Sequence, residues 1–153
     1  MFEIDIFPKK GFKDSRGEHV LSEILDIGIK CVKKVDYSSL YIIDGDINKS
    51  EVKTVAALLS DKITEGFKVT SVAQEKKSKN PINSIIEVLY KKGVTDTVSE
   101  SVAKAIKDLG IIKDVKVKAG HKYYLHGTAS QNVLNKIAVK LLANTLVQEY
   151  KIK

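Results

Sequence analysis

The sequence predicts an α+β protein made of two tandem β-α-β-β-α-β units, packed against each other as a pseudo-twofold dimer within one chain. Three observations predict it. The stretch KKGFKDSRGEHVLSEILDIG, from Lys9 to Gly28, returns as KKGVTDTVSESVAKAIKDLG, from Lys91 to Gly110, at a constant shift of 82. Gly11 then matches Gly93, Asp14 matches Asp96, Val20 matches Val102, Ile24 matches Ile106 and Gly28 matches Gly110. Within each half, apolar residues recur first at strand period and then at helix period, in the same order twice. Between the halves lies QEKKSKNPIN, polar, charged and carrying Pro81, which reads as a linker. The expected boundaries are 1–73 for the first repeat, 74–84 for the linker and 85–153 for the second repeat.

Each half opens on a strand with one buried face: FEIDIF, with Phe2, Ile4 and Ile6 inward, and IIEVLY, with Ile86, Val88 and Tyr90 on the corresponding side. A Lys-Lys-Gly turn ends each. Ser15 with Glu18, and Thr97 with Glu100, have the spacing of a capping box that would satisfy the free amides at a helix start. Val20, Ile24 and Ile27, then Val98, Val102, Ile106 and Leu109, follow at helical spacing, and Gly28 and Gly110 stop the helices as residues able to take positive φ. Next come IKCVKKV and LYIID in one half, IIKDVKV and KYYLHG in the other, read as two strands or one long bent pair. A second amphipathic segment is carried by Val52, Val55, Ala56 and Leu59, and by Leu134, Ile137, Ala138 and Leu141. Over this last part of each half the shift becomes 83, one inserted residue, so that in the closing strands EGFKV and QEYKI Phe67 matches Tyr150 and Val69 matches Ile152. The order is the ferredoxin-like plan, two helices on one face of an antiparallel sheet. A lone half would expose a sheet face or edge, and pairing two halves covers it.

With 153 residues, 43% of them hydrophobic, the chain can build a sizeable core. MFEIDIFPKKGF lacks the apolar run of a signal peptide and no stretch is long and apolar enough for a membrane helix, so a cytoplasmic protein is expected. Cys31, the single cysteine, cannot form an internal disulfide and reads as a free thiol. A net charge of +7 invites a nucleic-acid reading. Yet Arg16 is the only arginine, and the lysines are scattered as KK, EKK, KVK and KIK, which describes a solvated surface better than a phosphate-reading patch.

Motifs that carry chemistry are sparse. There is no GxxxxGK[ST] and no GxGxxG. His121 and His126 stand five apart in a strand-like segment, a separation that sends them to opposite faces, and no metal site is expected. His19 reads as an exposed helix residue. Asp44 and Asp46 flank Gly45 as turn residues rather than as paired catalytic carboxylates. No catalytic residue is expected, and the chain reads as a scaffold.

Three segments carry a resemblance to a known family. KKGVTDTVSESVAKAIKDLG, VKVKAGHKYYLHG and LLANTLVQEYKI resemble the PurS family, the small subunit of phosphoribosylformylglycinamidine synthase, over Ile85 to Ile152. The first half is similar to the same family through KKGFKDSRGEHVLSEILDIGI, LYIIDGD and LLSDKITEGF, so the whole resembles the tandem PurS-like module that begins the large single-chain form of the enzyme. Two departures stand out: Thr145 follows the Leu-Leu-Ala-Asn motif where the family often has proline, and the first half has Ser38, Ser39 and Leu40 where the second has Gly120, His121 and Lys122. The resemblance implies a non-catalytic adaptor in purine biosynthesis that bridges a synthetase subunit and a glutaminase subunit for ammonia transfer. This chain would hold no cofactor, ATP and magnesium being expected on the synthetase, and neither a membrane nor a nucleic acid would be a partner. The expected partner contacts are Lys118, Gly120, His121, Lys122, Tyr123 and Asn144, with Lys118, His121 and Lys122 exposed. Two alternatives fit the doubled architecture: a regulatory module binding a small molecule, and a tandem RNA-binding protein, the latter weakened because KYYLHG lacks an RNP1-like aromatic pattern.

Overall fold

The structure is a computed structural model and describes residues 1–72, 83–111 and 114–153. Its elements are β1 (Phe2–Pro8), α1 (Ser15–Asp26), β2 (Val32–Gly45), α2 (Lys49–Leu59), β3 (Glu65–Ser71), β4 (Asn83–Tyr90), α3 (Thr97–Asp108), β5 (Val115–Gly127), α4 (Gln131–Ile137, continued by a π turn over Ala138–Leu142) and β6 (Gln148–Ile152). Six strands form one sheet in the order β3-β1-β2-β5-β4-β6, with every neighbouring pair antiparallel. Of the expected linker, residues 74–82 lie outside the described residues, while Asn83 and Ser84 already belong to β4.

Of the two readings left open for the middle of each half, the continuous one holds: a single long strand, of 14 residues in β2 and 13 in β5. The physical reason is pairing. β2 and β5 run beside each other from Val32↔Gly127 to Gly45↔Val115, so no hairpin turn interrupts either. Ser39 stands opposite His121, its own match at a shift of 82, and Ser38↔Lys122 and Leu40↔Gly120 exchange about that point. β1 pairs with β2 only at Ser39–Ile43, and β4 pairs with β5 from Gly120 to His126, so each long strand serves two sub-sheets.

The cores are shared between the halves. One gathers Val20 and Ile24 of α1 with Ile86 and Val88 of β4, Leu125 of β5, and Leu134 and Ile137 of α4. The other gathers Val102 and Ile106 of α3 with Ile4 and Ile6 of β1, Ile43 of β2, and Val52 and Val55 of α2. Each list maps onto the other at a shift of 82. Helix α1 packs on its own β2, through Val32 and Val35, and shares that core with β4, β5 and α4 of the second half; α3 likewise packs on its own β5 and shares its core with β1, β2 and α2 of the first, an arrangement that the long, open β2 and β5 make possible. Each fully buried isoleucine contributes on the order of 2 kcal/mol relative to exposure.

The helix ends follow the same duplication, with one correction. The N-caps of α1 and α3 are Asp14 and Asp96, one residue before the serine and threonine expected there. Asp14 accepts the Gly17 N–H at 2.8 Å through Oδ1 and the Tyr37 N–H of β2 at 2.7 Å through Oδ2. Aspartate outcompetes the neighbouring hydroxyl because its two oxygens satisfy a helix amide and a strand-edge amide together. The described capping box is instead at α2, between Asn48 and Glu51. Gly28 and Gly110 take φ of 85° and 78° and close Schellman motifs, with Ile29 N–H donating to Ile24 O and Ile111 N–H to Ile106 O.

The inserted residue also has a location. At the end of α2 the Ser60 N–H donates to Ala56 O, four residues back, at 3.1 Å, whereas after α4 the Ala143 N–H donates to Ala138 O, five residues back, at 2.8 Å. The extra residue is absorbed as a π turn, and the shift between the halves passes from 82 to 83 there.

Candidate interaction site

The centre of β5 carries most of the residues expected to meet partners, and strand alternation divides them between two faces. Ala119, His121, Tyr123 and Leu125 turn toward the helices; Lys118, Gly120, Lys122, Tyr124 and His126 turn to the other, helix-free face.

On the helix side, Tyr123 is buried in the core, its hydroxyl pKa pushed up to about 12 by that burial. His121 is half-buried, its Nδ1 2.8 Å from the Tyr37 hydroxyl, and burial first, then the Arg16 charge, hold its pKa below the ordinary histidine value. Arg16 lies with its guanidinium 4.7 Å from the centre of the Tyr37 ring and donates to the Tyr37 hydroxyl at 3.0 Å. The only arginine of the chain thus anchors α1 to the middle of the sheet.

On the helix-free face, Lys122 overturns an expectation. It was expected on the surface and is 4% exposed, gripped by three carboxylates: Glu3, in close contact; Asp5, at 3.1 Å; and Glu87, at 3.4 Å. Lys153 supports Glu87 from the rim at 2.7 Å. The reason is topological: Glu3 and Asp5 alternate with the core isoleucines of β1, Glu87 does the same in β4, and β2 and β5 bring both strands in around the central lysine. Burial pushes the Asp5 pKa up, the Lys122 charge draws it back and the Glu3 charge adds to the rise. For Lys122, burial works against the charge but the carboxylates outweigh it, so its pKa is raised. A buried charge of this kind persists only with such partners.

Gly120 is also a packing residue. A Cβ there would come within 2.2 Å of the Val88 carbonyl oxygen, so only glycine admits this approach of β4 to β5. His126 sits on the face opposite His121, with Nε2 2.7 Å from Asp36 Oδ2. Asp36 keeps its pKa below the usual carboxylate value: burial pushes it up, but hydrogen bonds from Lys34 and His126 outweigh that. Lys118 and Asn144 are exposed. Asn144 also shapes a turn, accepting the Leu146 N–H at 3.1 Å, while its own N–H donates to Gln148 Oε1 at 2.9 Å. That turn presents Leu146, 84% exposed, and its match in the first half presents Ile63, 75% exposed. Cys31 is free and half-buried.

The Arg16–Tyr37 stack and the carboxylate cage escaped the sequence reading. The signal for the cage was the acid repeated at one strand position, Asp5 and Glu87.

The fold is α+β on one six-stranded antiparallel sheet whose central side chains are committed to one another. Residues 83–153 match the family described as PurS: Phosphoribosylformylglycinamidine (FGAM) synthase. This part of the chain is thus similar to PurS, a family that works in FGAM synthase, a ligase of purine biosynthesis, in complex with its other subunits. No curated protein matches the chain. Among the described residues no helix is long and apolar enough to cross a membrane.

Proposed function

We propose that the chain is a non-catalytic adaptor of FGAM synthase, bridging a synthetase subunit that holds ATP and magnesium and a glutaminase subunit, so that ammonia passes between them without escaping into water. In this reading residues 1–73 are a first PurS-like repeat and 85–153 a second, joined through 74–84 into a pseudo-dimer that acts in the cytoplasm. The observation that carries it is the register of β2 on β5 together with the family match: a PurS-like unit pairs, position for position, with a first half of the same design. Two equivalent but non-identical ends can each hold a different partner. An adaptor needs rigidity, and the shared cores and the caged Lys122 supply it.

The contacts belong on exposed residues, which keeps Lys118 and Asn144 and adds Leu146, an apolar side chain left almost wholly in water. Lys122, Tyr123 and Gly120 act through the fold. Size-exclusion chromatography with the synthetase and glutaminase subunits tests this. The wild-type chain is expected to co-elute with both, and Leu146→Asp to lose one of them while keeping its circular dichroism spectrum. Undiminished co-elution of Leu146→Asp removes that residue from the interface, and no co-elution of the wild type removes the adaptor reading.

A further inference from the structure

Because β1 pairs with β2 only from Ser39 onward, the β2 edge at Lys34–Tyr37 has no strand beside it and is bordered by the Lys9–Asp14 turn and α1. The gap is a cleft of about 740 Å³, within the size of small-molecule sites. Two kinds of side chain set its chemistry. Phe7 and Phe12 line it while 39% and 46% exposed, rings that the fold itself leaves uncovered. Lys10 and Lys68 line it too, exposed and without a salt bridge among the described residues. The acids in the wall are already engaged: Asp36 by Lys34 and His126, Glu18 by Lys13, Asp5 by Lys122, and Asp14 by backbone amides. The charge left open is positive: Lys10 has no salt bridge among the described residues, and Lys68, opposite Asp5 in the β1–β3 pairing, is drawn to that carboxylate only from beyond salt-bridge distance.

The second half is an internal control. At the positions equivalent to Lys10 and Lys68 it keeps lysines, Lys92 and Lys151, but Phe7 and Phe12 are replaced by Leu89 and Val94. One frame therefore carries the same charges with Phe7 and Phe12 in one copy and with Leu89 and Val94 in the other, where the sole added ring, Tyr90, stands in place of Pro8.

We infer that the cleft beside β1 binds a small phosphate-bearing molecule with a flat ring, the chemistry of a mononucleotide, its ring against Phe7 and Phe12 and its phosphate toward Lys10 and Lys68. Ring stacking on an aromatic side chain and charge-assisted bonds from lysine are each tolerant of detail, which suits a shallow site open to water. The site is separate from the adaptor contacts at Lys118, Asn144 and Leu146.

Isothermal titration calorimetry of the full chain with AMP, adenosine and inorganic phosphate tests it. AMP is expected to bind saturably at one site, with adenosine and phosphate each weaker by about tenfold or more, which requires ring and phosphate on one ligand. Lys10→Glu with Lys68→Glu is expected to weaken AMP by at least about tenfold and Phe12→Ala by several-fold, while Lys92→Glu with Lys151→Glu leaves the Kd within about twofold. All of these changes are at exposed positions, and thermal melts verify that each variant folds. No saturable AMP binding, phosphate binding as tightly as AMP, or an equal loss in the Lys92/Lys151 pair would overturn the assignment.

Discussion

Lys122 concentrates the residue-scale physics of this protein. One ammonium serves Glu3, Asp5 and Glu87, so removing it leaves Glu3 and Asp5 facing one another out of water and Glu87 with Lys153 at the rim. Lys122→Met is expected to destabilise by about 3–5 kcal/mol near neutral pH, the cost of breaking a buried ionic cluster by deleting one partner. The pH dependence has a definite sign. Asp5 already has a raised folded-state pKa, so its favourable contribution is present below the unfolded value of 3.8 and is lost as pH rises through the raised one. Without Lys122 that rise grows, so the deficit should shrink as pH falls into the acid range. Urea melts of both proteins between neutral and acid pH measure it; a deficit independent of pH contradicts the cage. The sequence reading put Lys122 among the exposed partner contacts. What it could not show was which strands flank β5, and only that neighbourhood turns an apparent surface charge into a buried one.

At the scale of elements, Asp14 and Asp96 tie helix starts to strand edges. Asp14→Ala removes the acceptor for two amides, Gly17 N–H and Tyr37 N–H, and should cost about 1–2 kcal/mol, whereas Ser15→Ala should cost a few tenths at most. Denaturant titration of the two variants separates them, and equal losses would restore the serine as cap. The helices themselves were legible, since their spacing and glycine stops lie within a few residues of one another and depend on local geometry alone. So were the opposite faces of His121 and His126. The choice of cap was not, because the second bond of Asp14 reaches a residue 23 positions away. The middle of each half stayed open between two strands and one for the same reason: whether a strand continues past Ser38 and Ser39 is decided by its partner across the sheet. The inserted residue was visible as a change of shift, and the π turn is how a helix accommodates it while keeping Leu134 and Ile137 in the core.

For the whole molecule, the repeats are units of sequence and the cores are joint property. Each core takes a helix from each half, so residues 1–73 and 83–153 produced together as separate chains are expected to co-purify as one folded complex. Either alone should lack a cooperative melt as a monomer, because α1 then keeps β2 but loses β4, β5 and α4, and α3 keeps β5 but loses β1, β2 and α2, so that Ile24 or Ile106 is left half covered. Two halves that melt independently, each at the temperature of the intact chain, would contradict the shared cores. The duplication was legible in the paired glycines and aspartates; the sharing of the cores was not, since an identical list of elements serves a pair with shared cores and a pair with separate ones equally well. The proposed function rests on this scale too, on one sheet and two cores shared between the halves. Its most direct measurement is FGAM formation by the synthetase and glutaminase subunits, with either glutamine or free ammonia as nitrogen source, in the presence and absence of this chain. The account predicts that glutamine-dependent synthesis requires the chain while ammonia-dependent synthesis does not. Glutamine-dependent synthesis that proceeds equally well without it would contradict the account.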